Sequence, residues 1–131
     1  MSDDPRHLLG RRGERVAEAH LIAHGYSVLA RNVRTRRGEI DLIACDRRTL
    51  VFVEVKTRCV RRAQASIRDD QLPLARLGAR QRARLRRLAL AWLSESRGAR
   101  PAAETIRFDA IGVVLDGRGR VRRFDHVEDA W

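Results

Sequence analysis

The sequence predicts an α/β fold in which a mixed central β-sheet is flanked by helices, in the order α-β-β-β-α-β-β. Two observations indicate this fold. Apolar residues recur at helical spacing in two segments, and five other segments are rich in branched apolar residues and are bounded by turn residues. A chain of 131 residues is long enough for one hydrophobic core, so residues 1–131 are predicted to form a single domain.

The boundaries of the predicted elements follow from local signals. The first helix runs from about Arg6 to His24, where Gly25 supplies a C-terminal cap. The second helix spans about Leu77 to Ser96, and the residues from Cys59 to about Pro73 are predicted to form a loop. The predicted strands are Tyr26–Asn32, Gly38–Ala44, Leu50–Thr57, Thr105–Leu115 and Arg120–Val127.

The net charge of the chain indicates which classes of molecule it binds. A formal net charge of +11 and a pI near 11.5 predict attraction to polyanions, with nucleic acid favoured over an anionic membrane surface or a ribosome. No apolar run is long enough to span a bilayer, and the acidic N-terminus does not resemble a secretory signal. Cys45 and Cys59 are too few for a disulfide framework, so a reduced, cytoplasmic setting is expected.

Composition also singles out one side chain. Lys56 is the only lysine in a chain whose other basic residues are arginines. A compact ammonium group differs chemically from a planar guanidinium group, so Lys56 is a candidate for a specific role. The histidines are scattered, with none at ligand spacing from another His or Cys, and are weak candidates: His7, His20, His24 and His126.

The second and third predicted strands form a hairpin. If it closes symmetrically around Arg47-Arg48, Asp41 lies across from Glu54. The same closure puts Glu39 across from Lys56, and strand alternation then places these three acids and the lysine on one face. The opposite face is expected to contain Ile40, Leu42, Val51, Val53 and Val55.

This arrangement allows two interpretations. Carboxylates of Asp41 and Glu54 that face each other repel unless a cation lies between them, and Mg²⁺ or Mn²⁺ would also accept the backbone carbonyl of Val55 as a ligand. Lys56 would then orient the attacking water or stabilise charge that develops on a phosphate. The alternative is a set of cross-strand salt bridges, Glu39 with Lys56 and Asp41 with an arginine.

Several arginines are candidates for contacts with nucleic-acid phosphates. Some lie in the turn beside the proposed site, one adjoins it on the third strand, and others lie on the second helix. A solvated surface is the alternative for each of them. The candidates are Arg34, Arg36, Arg37, Arg58, Arg80 and Arg84.

Three parts of the chain closely resemble the YraN family. They are GRRGERVAEAHLIAHGYSVLARNVRTRRGEIDLIA at Gly10–Ala44, LVFVEVKTR at Leu50–Arg58 and RFD at Arg107–Asp109. YraN proteins are largely uncharacterised bacterial proteins assigned to the restriction-endonuclease-like superfamily. In their core they are similar to archaeal Holliday junction resolvases, so the resemblance implies a restriction-endonuclease-like fold.

The resemblance also implies roles for individual residues. Asp41 and Glu54 would be metal ligands, Lys56 the catalytic lysine, and Glu14 an additional acid of the site. Relatives often have a lysine early in the second helix, whereas the phase of the apolar stripe puts Gln81 at that place. The neutral Gln81 amide could hydrogen-bond a phosphate, but the contribution of this helix to substrate binding is left open.

The predicted function is a Mg²⁺- or Mn²⁺-dependent endonuclease that acts on DNA. A preference for branched or structured DNA, and a homodimer, would follow from the likeness to junction resolvases alone. Two other functions are compatible with the sequence. One is a non-catalytic basic module that binds nucleic acid, and the other is a partner protein in DNA recombination or uptake.

Overall fold

The computed structural model describes residues 4–96 and 101–130, which form a five-stranded mixed sheet with a helix on each face. The predicted mixed α/β fold is confirmed. Neither helix in these ranges has the length and apolarity needed to cross a bilayer. The elements are α1 (Pro5–Ala23), β1 (Ser27–Thr35), β2 (Gly38–Cys45), β3 (Thr49–Val60), α2 (Ala79–Glu95), β4 (Thr105–Asp116) and β5 (Val121–Val127), with 3₁₀ turns at Asp69–Gln71 and Pro73–Arg76.

The sheet keeps the chain order, β1-β2-β3-β4-β5, and only β3 and β4 are parallel neighbours. Parallel strands need a crossover connection, and α2 provides it. Pairing with β4 extends β3 to Val60, so the prediction that a loop begins at Cys59 is wrong. The predicted end of β1 at Asn32 is also wrong, because pairing with β2 continues to Thr35.

The two helices cover opposite faces of the sheet. Ala17 and Leu21 of α1 are fully buried against one face, together with Leu42 of β2. Leu85 and Leu88 of α2 are buried against the other face. Each fully buried leucine stabilises the fold by about 1.5–3 kcal/mol, so these contacts hold the helices firmly in place.

A glycine lets α1 lie directly on β3. A Cβ atom at Gly13 would lie 1.8 Å from the Thr57 hydroxyl oxygen, a distance that no side chain can occupy. The close approach of helix and strand therefore requires glycine at this position. The next residue, Glu14, is thereby brought to the same end of the sheet as the acidic residues of β2.

The hairpin of β2 and β3 has the predicted register where its ladder is formed. The pairs run from Leu42↔Val53 to Cys45↔Leu50. The ladder ends before Asp41 and Glu54, so the predicted pairing of these two residues is not part of it. The strands separate at the point where the polar residues begin.

Side-chain alternation breaks at Asp41. Ile40 packs on the α2 side of the sheet, whereas Leu42 packs on the α1 side. The prediction that both share one face is therefore wrong. In β1, Asn32 lies at the level of Asp41, between the pairs Arg31↔Leu42 and Val33↔Ile40, and has a φ of 49°. Asparagine tolerates this left-handed conformation better than most residues, and this irregularity in β1 lies beside the break in alternation in β2.

We predict that Gly13→Ala lowers the free energy of unfolding by about 1–3 kcal/mol, because the added methyl group overpacks the contact with Thr57. Gly10 of the same helix is a matched control, since a Cβ there has no neighbour within 4 Å. Gly10→Ala should stabilise the protein by up to about 1 kcal/mol through helix propensity. Urea denaturation of both variants measures the difference, and equal effects would contradict the proposed contact.

Candidate functional site

Three carboxylates converge where β2 separates from β3. Ligand oxygens of Glu14, Glu39 and Asp41 all lie within 4.8 Å of one another. Glu14 comes from α1, which Gly13 holds against β3, and the other two come from the part of β2 that is not paired with β3. We call these three residues the acidic cluster. Sequence reasoning had placed Glu39 on the hairpin but had not assigned it as a ligand.

The side chain of Asp41 replaces a missing backbone contact. Its Oδ2 atom accepts a hydrogen bond of 2.8 Å from the backbone N–H of Val55, on the side of β3 from which β2 has separated. The N–H and C=O groups of one strand residue point to the same side. The Val55 carbonyl, which was predicted as a backbone ligand, therefore faces the same gap.

Burial makes the ionised form of Asp41 unfavourable. Burial and the neighbouring charge of Glu54 raise the pKa of Asp41 to about 8, although the hydrogen bond from Val55 opposes the shift. Glu14 and Glu39 raise the pKa further. This carboxyl group therefore lacks a compensating cation among the described residues.

Glu14 is in a similar environment. Burial and the charge of Glu39 raise the pKa of Glu14, and Glu54 adds to the shift. A hydrogen bond from Asn32 and the charge of Arg11 partly offset it. Two of the three acids of the cluster thus bind a proton more readily than they would in water.

Asn32 links two members of the acidic cluster. With its amide oriented to satisfy its hydrogen bonds, its nitrogen lies 2.6 Å from Glu39 Oε1 and 3.1 Å from Glu14 Oε2. It donates to both and so fixes their relative positions. Sequence reasoning missed this residue, although asparagine is uncommon within strands and was a detectable signal.

Glu54 and Lys56 form an ion pair beside the cluster. Lys56 Nζ lies 3.1 Å from Glu54 Oε1, and the Glu54 side chain is largely buried while that of Lys56 is about one-third exposed. Glu54 is close enough to affect the pKa of both Asp41 and Glu14. The salt bridge between Glu39 and Lys56, which was the alternative interpretation, is not formed, and Glu39 instead contacts Arg34 at 3.5 Å.

Most of the predicted phosphate-binding arginines converge on one surface. Arg84 and Arg87 of α2 lie beside the turn between β1 and β2, and Arg80 adjoins them. Arg87 was not among the predicted residues, and exposed Arg58 does not line this surface. We call the surface the arginine groove; it is formed by Arg34, Arg36, Arg37, Arg80, Arg84 and Arg87.

Gln81, a candidate for a contact with phosphate, also lies at this groove. It lines the part of the groove that contains Arg80 and Arg84. Its side-chain oxygen is buried and has no hydrogen-bond partner within the described ranges. Because a buried polar atom without a partner costs free energy, this amide is available to a donor from a bound molecule or water.

The RFD motif belongs to a separate buried network. The Asp109 carboxylate is fully buried and accepts hydrogen bonds from Arg107 at 2.8 and 2.9 Å and from Asp129 N–H at 3.0 Å. His126 lies 2.7 Å from the same carboxylate and 3.3 Å from His20. The histidines are therefore not all scattered in space. Sequence spacing could not reveal a contact between positions 20 and 126.

Comparison with known proteins identifies the family of the chain. Residues 13–113 match the Uncharacterised protein family UPF0102. The chain belongs to this family. UPF0102 is the YraN family, so the assignment made by resemblance is confirmed.

UPF0102 relatives from distant bacteria cover almost the whole chain. The UPF0102 protein of Chlorobium phaeobacteroides is 42% identical, covering 95% of this chain and 94% of its own. That of Pelotomaculum thermopropionicum is 40% identical over 98% of both chains. A UPF0102 protein of Parafrankia is 47% identical over 87% of this chain and 88% of its own. The acidic cluster and the Glu54–Lys56 pair lie within the matched residues.

The raised pKa of Asp41 predicts a pH-dependent stability in EDTA. The unfolded carboxyl ionises near 3.8 and the folded one near 8, so the folded state holds more protons between these values. Stability contributed by the protonated group is consequently lost as the pH rises through this window. Asp41→Asn should therefore stabilise the protein more at pH 8 than at pH 5, by about 1–3 kcal/mol.

Urea denaturation at both pH values measures this difference. Asp46→Asn is the control, because hydrogen bonds from Arg48 and Thr49 lower the pKa of Asp46 and keep it ionised throughout. Its effect should be the same at both pH values. An effect of Asp41→Asn that also does not change with pH would show that the Asp41 carboxylate is already compensated.

Proposed function

We propose that the chain is a divalent-metal-dependent endonuclease that hydrolyses phosphodiester bonds in DNA. The observation that carries this proposal is the convergence of Glu14, Glu39 and Asp41 beside the ion pair of Glu54 and Lys56. Such a set of carboxylates can hold a cation against a phosphate, and a neighbouring ammonium can stabilise the negative charge of the reaction. The net positive charge of the chain supports a polyanionic substrate.

The residues present fit a hard divalent cation. The acidic cluster offers only carboxylate oxygens, which Mg²⁺ and Mn²⁺ prefer to nitrogen or sulfur. The raised pKa values of Asp41 and Glu14 support this assignment, because a bound cation would favour the ionised form of both side chains. We assign Glu14, Glu39 and Asp41, with the Val55 carbonyl, as the groups that would hold Mg²⁺ or Mn²⁺.

The bound metal would polarise a phosphoryl oxygen and lower the pKa of a water molecule. The chain's own residues then position the reactants. Lys56 donates hydrogen bonds to the attacking water or to a phosphate oxygen, and Glu54 holds its ammonium group in place at 3.1 Å. Asn32 keeps Glu14 and Glu39 aligned. In this assignment Glu54, predicted from sequence as a ligand, acts by positioning Lys56.

The proposal includes a restriction-endonuclease-like fold and a preference for branched or structured DNA. Both come from the resemblance of the YraN family to junction resolvases, and a mixed sheet with a helix on each face is compatible with the fold. A homodimer belongs to the same inference, because a two-fold symmetric junction is cut by two equivalent sites.

The arginine groove favours a second function, that of a DNA-binding module without catalysis. Such a module would bind DNA without a metal and without Lys56. The acidic cluster favours the nuclease instead, because three converging carboxylates would weaken the binding of a polyanion to a surface that has no other function.

We predict that the protein cuts labelled DNA in Mg²⁺ or Mn²⁺ and does not cut it in EDTA. Lys56→Ala should lower the cleavage rate by roughly 100-fold or more, since it removes a group that stabilises charge in the transition state. Asp41→Asn should have at least as large an effect, because it removes a ligand. Gel assays on duplex, single-stranded, flap and four-way-junction DNA measure both the rates and the preferred substrate.

Asp70→Asn is the matched control for Asp41→Asn. Asp70 is exposed on the 3₁₀ turn Asp69–Gln71 and pairs only with Arg68 among the salt bridges of the described residues. Its loss should leave cleavage unchanged. DNA binding without metal-dependent cutting, equal in the wild-type and Lys56→Ala proteins, would reject the nuclease and leave the binding module.

A further inference from the structure

The arginine groove is an open cleft between a turn and a helix. Its main part has a volume of about 720 Å³ and is bordered by Arg36 and Arg37 on one side and Arg87 on the other. Arg84 extends it along α2. Two segments far apart in the sequence thus present their guanidinium groups to one space.

Gly38 allows the β1–β2 turn to pack directly against α2, and these two segments form the sides of the groove. Gly38 follows the turn directly and has a φ of 147°, which other residues rarely adopt. A Cβ atom there would lie 3.3 Å from Leu88 and 3.5 Å from the Arg84 side chain. The turn therefore rests on the stem of Arg84, and the spacing of the charges is set by backbone packing.

The positive charge of the groove is not balanced locally. Among the residues that the structure describes, Arg36, Arg37, Arg84 and Arg87 form no salt bridge. Within the described part of the chain, Glu95 is the one acidic residue that borders the main cleft. Neighbouring like charges repel each other, and this repulsion is relieved when a polyanion binds.

Arg34 connects the groove to the acidic cluster. It borders the main cleft, and it also borders a second cavity of about 330 Å³ that contains Glu14, Asn32 and Glu39. Its Nε atom lies 3.5 Å from Glu39 Oε2. The groove lies on the α2 side of the sheet and the second cavity on the α1 side, so the turn between β1 and β2 separates the two.

We propose that the arginine groove binds the phosphodiester backbone of single-stranded DNA without a metal, and that the strand passes over the β1–β2 turn to the acidic cluster. Duplex DNA has a persistence length of about 150 base pairs and cannot bend around a two-residue turn, whereas a single strand can, so a branched substrate would reach the cluster through an unpaired strand. The path to the cluster rests on the proposed nuclease function. Binding of phosphates in the groove does not depend on the nuclease function, whereas the preference for a single strand follows from the path over the turn.

Fluorescence anisotropy with a labelled oligothymidine of about 20 nucleotides in EDTA tests the groove. Arg36→Gln/Arg37→Gln should weaken binding and reduce the slope of log K against log salt by about 1.4, because each lost contact with a single strand contributes about 0.7. Arg84→Gln/Arg87→Gln should have a similar effect. The oligothymidine should bind more tightly than a duplex of the same length.

The turn between β2 and β3 provides a control. Arg47 and Arg48 are also an adjacent, exposed pair in a hairpin turn, at the other end of β2, and their replacement by Gln removes the same charge. This variant should keep the wild-type slope. The proposal would be overturned if the Arg36→Gln/Arg37→Gln and Arg47→Gln/Arg48→Gln variants had the same slope of log K against log salt. Tighter binding of the duplex than of the oligothymidine would also overturn it.

The outcome is independent of the nuclease test. Wild-type protein that binds through the groove but does not cut DNA would leave the groove established and reject the nuclease. Protein that cuts single-stranded DNA equally well with and without Arg36 and Arg37 would support the nuclease and overturn the path over the turn. Thermal unfolding of each variant verifies that the substitutions have left the fold intact.

Discussion

The hydrogen bond from the Val55 N–H to the Asp41 carboxylate organises this end of the molecule. Where β2 leaves the ladder, a side chain replaces the backbone partner that β3 would otherwise lose. The separation opens a gap into which α1 places Glu14, because Gly13 allows the helix to touch β3. Without the break at Asp41, the two strands would continue their ladder and close that gap.

The close approach of these buried carboxylates lowers the stability of the folded protein, and packing elsewhere in the fold must offset this loss. Buried acids of like charge raise one another's pKa, and Asp41 and Glu14 both show the effect. Two well-packed layers of apolar side chains hold the strands in place on either side of the cluster. In the proposed function, a divalent cation would remove this loss of stability by compensating the charges of the carboxylates.

Much of the fold could be predicted, because it depends on local periodicity and turn residues. The register from Leu42 to Cys45 followed from the symmetry of the hairpin alone. The face of Ile40 could not be predicted, since the prediction assumed regular alternation and the sequence does not show where it breaks. Glu39 was placed beside Asp41 but not assigned as a ligand, and Asn32 was missed because its contacts depend on how α1 packs on the sheet. Arg87 was missed because helix packing determines which arginines meet the turn.

The most direct test of the account is the position of Mn²⁺ in crystals of the protein grown with the ion. The account predicts an anomalous scattering peak about 2–2.5 Å from carboxylate oxygens of Glu14, Glu39 and Asp41, next to the Val55 carbonyl. A cluster that remains free of Mn²⁺ at saturating concentrations, with the ion bound elsewhere or absent, would contradict it. The three acids would then be a strained structural feature, and the protein's interaction with DNA would have to rest on its arginines alone.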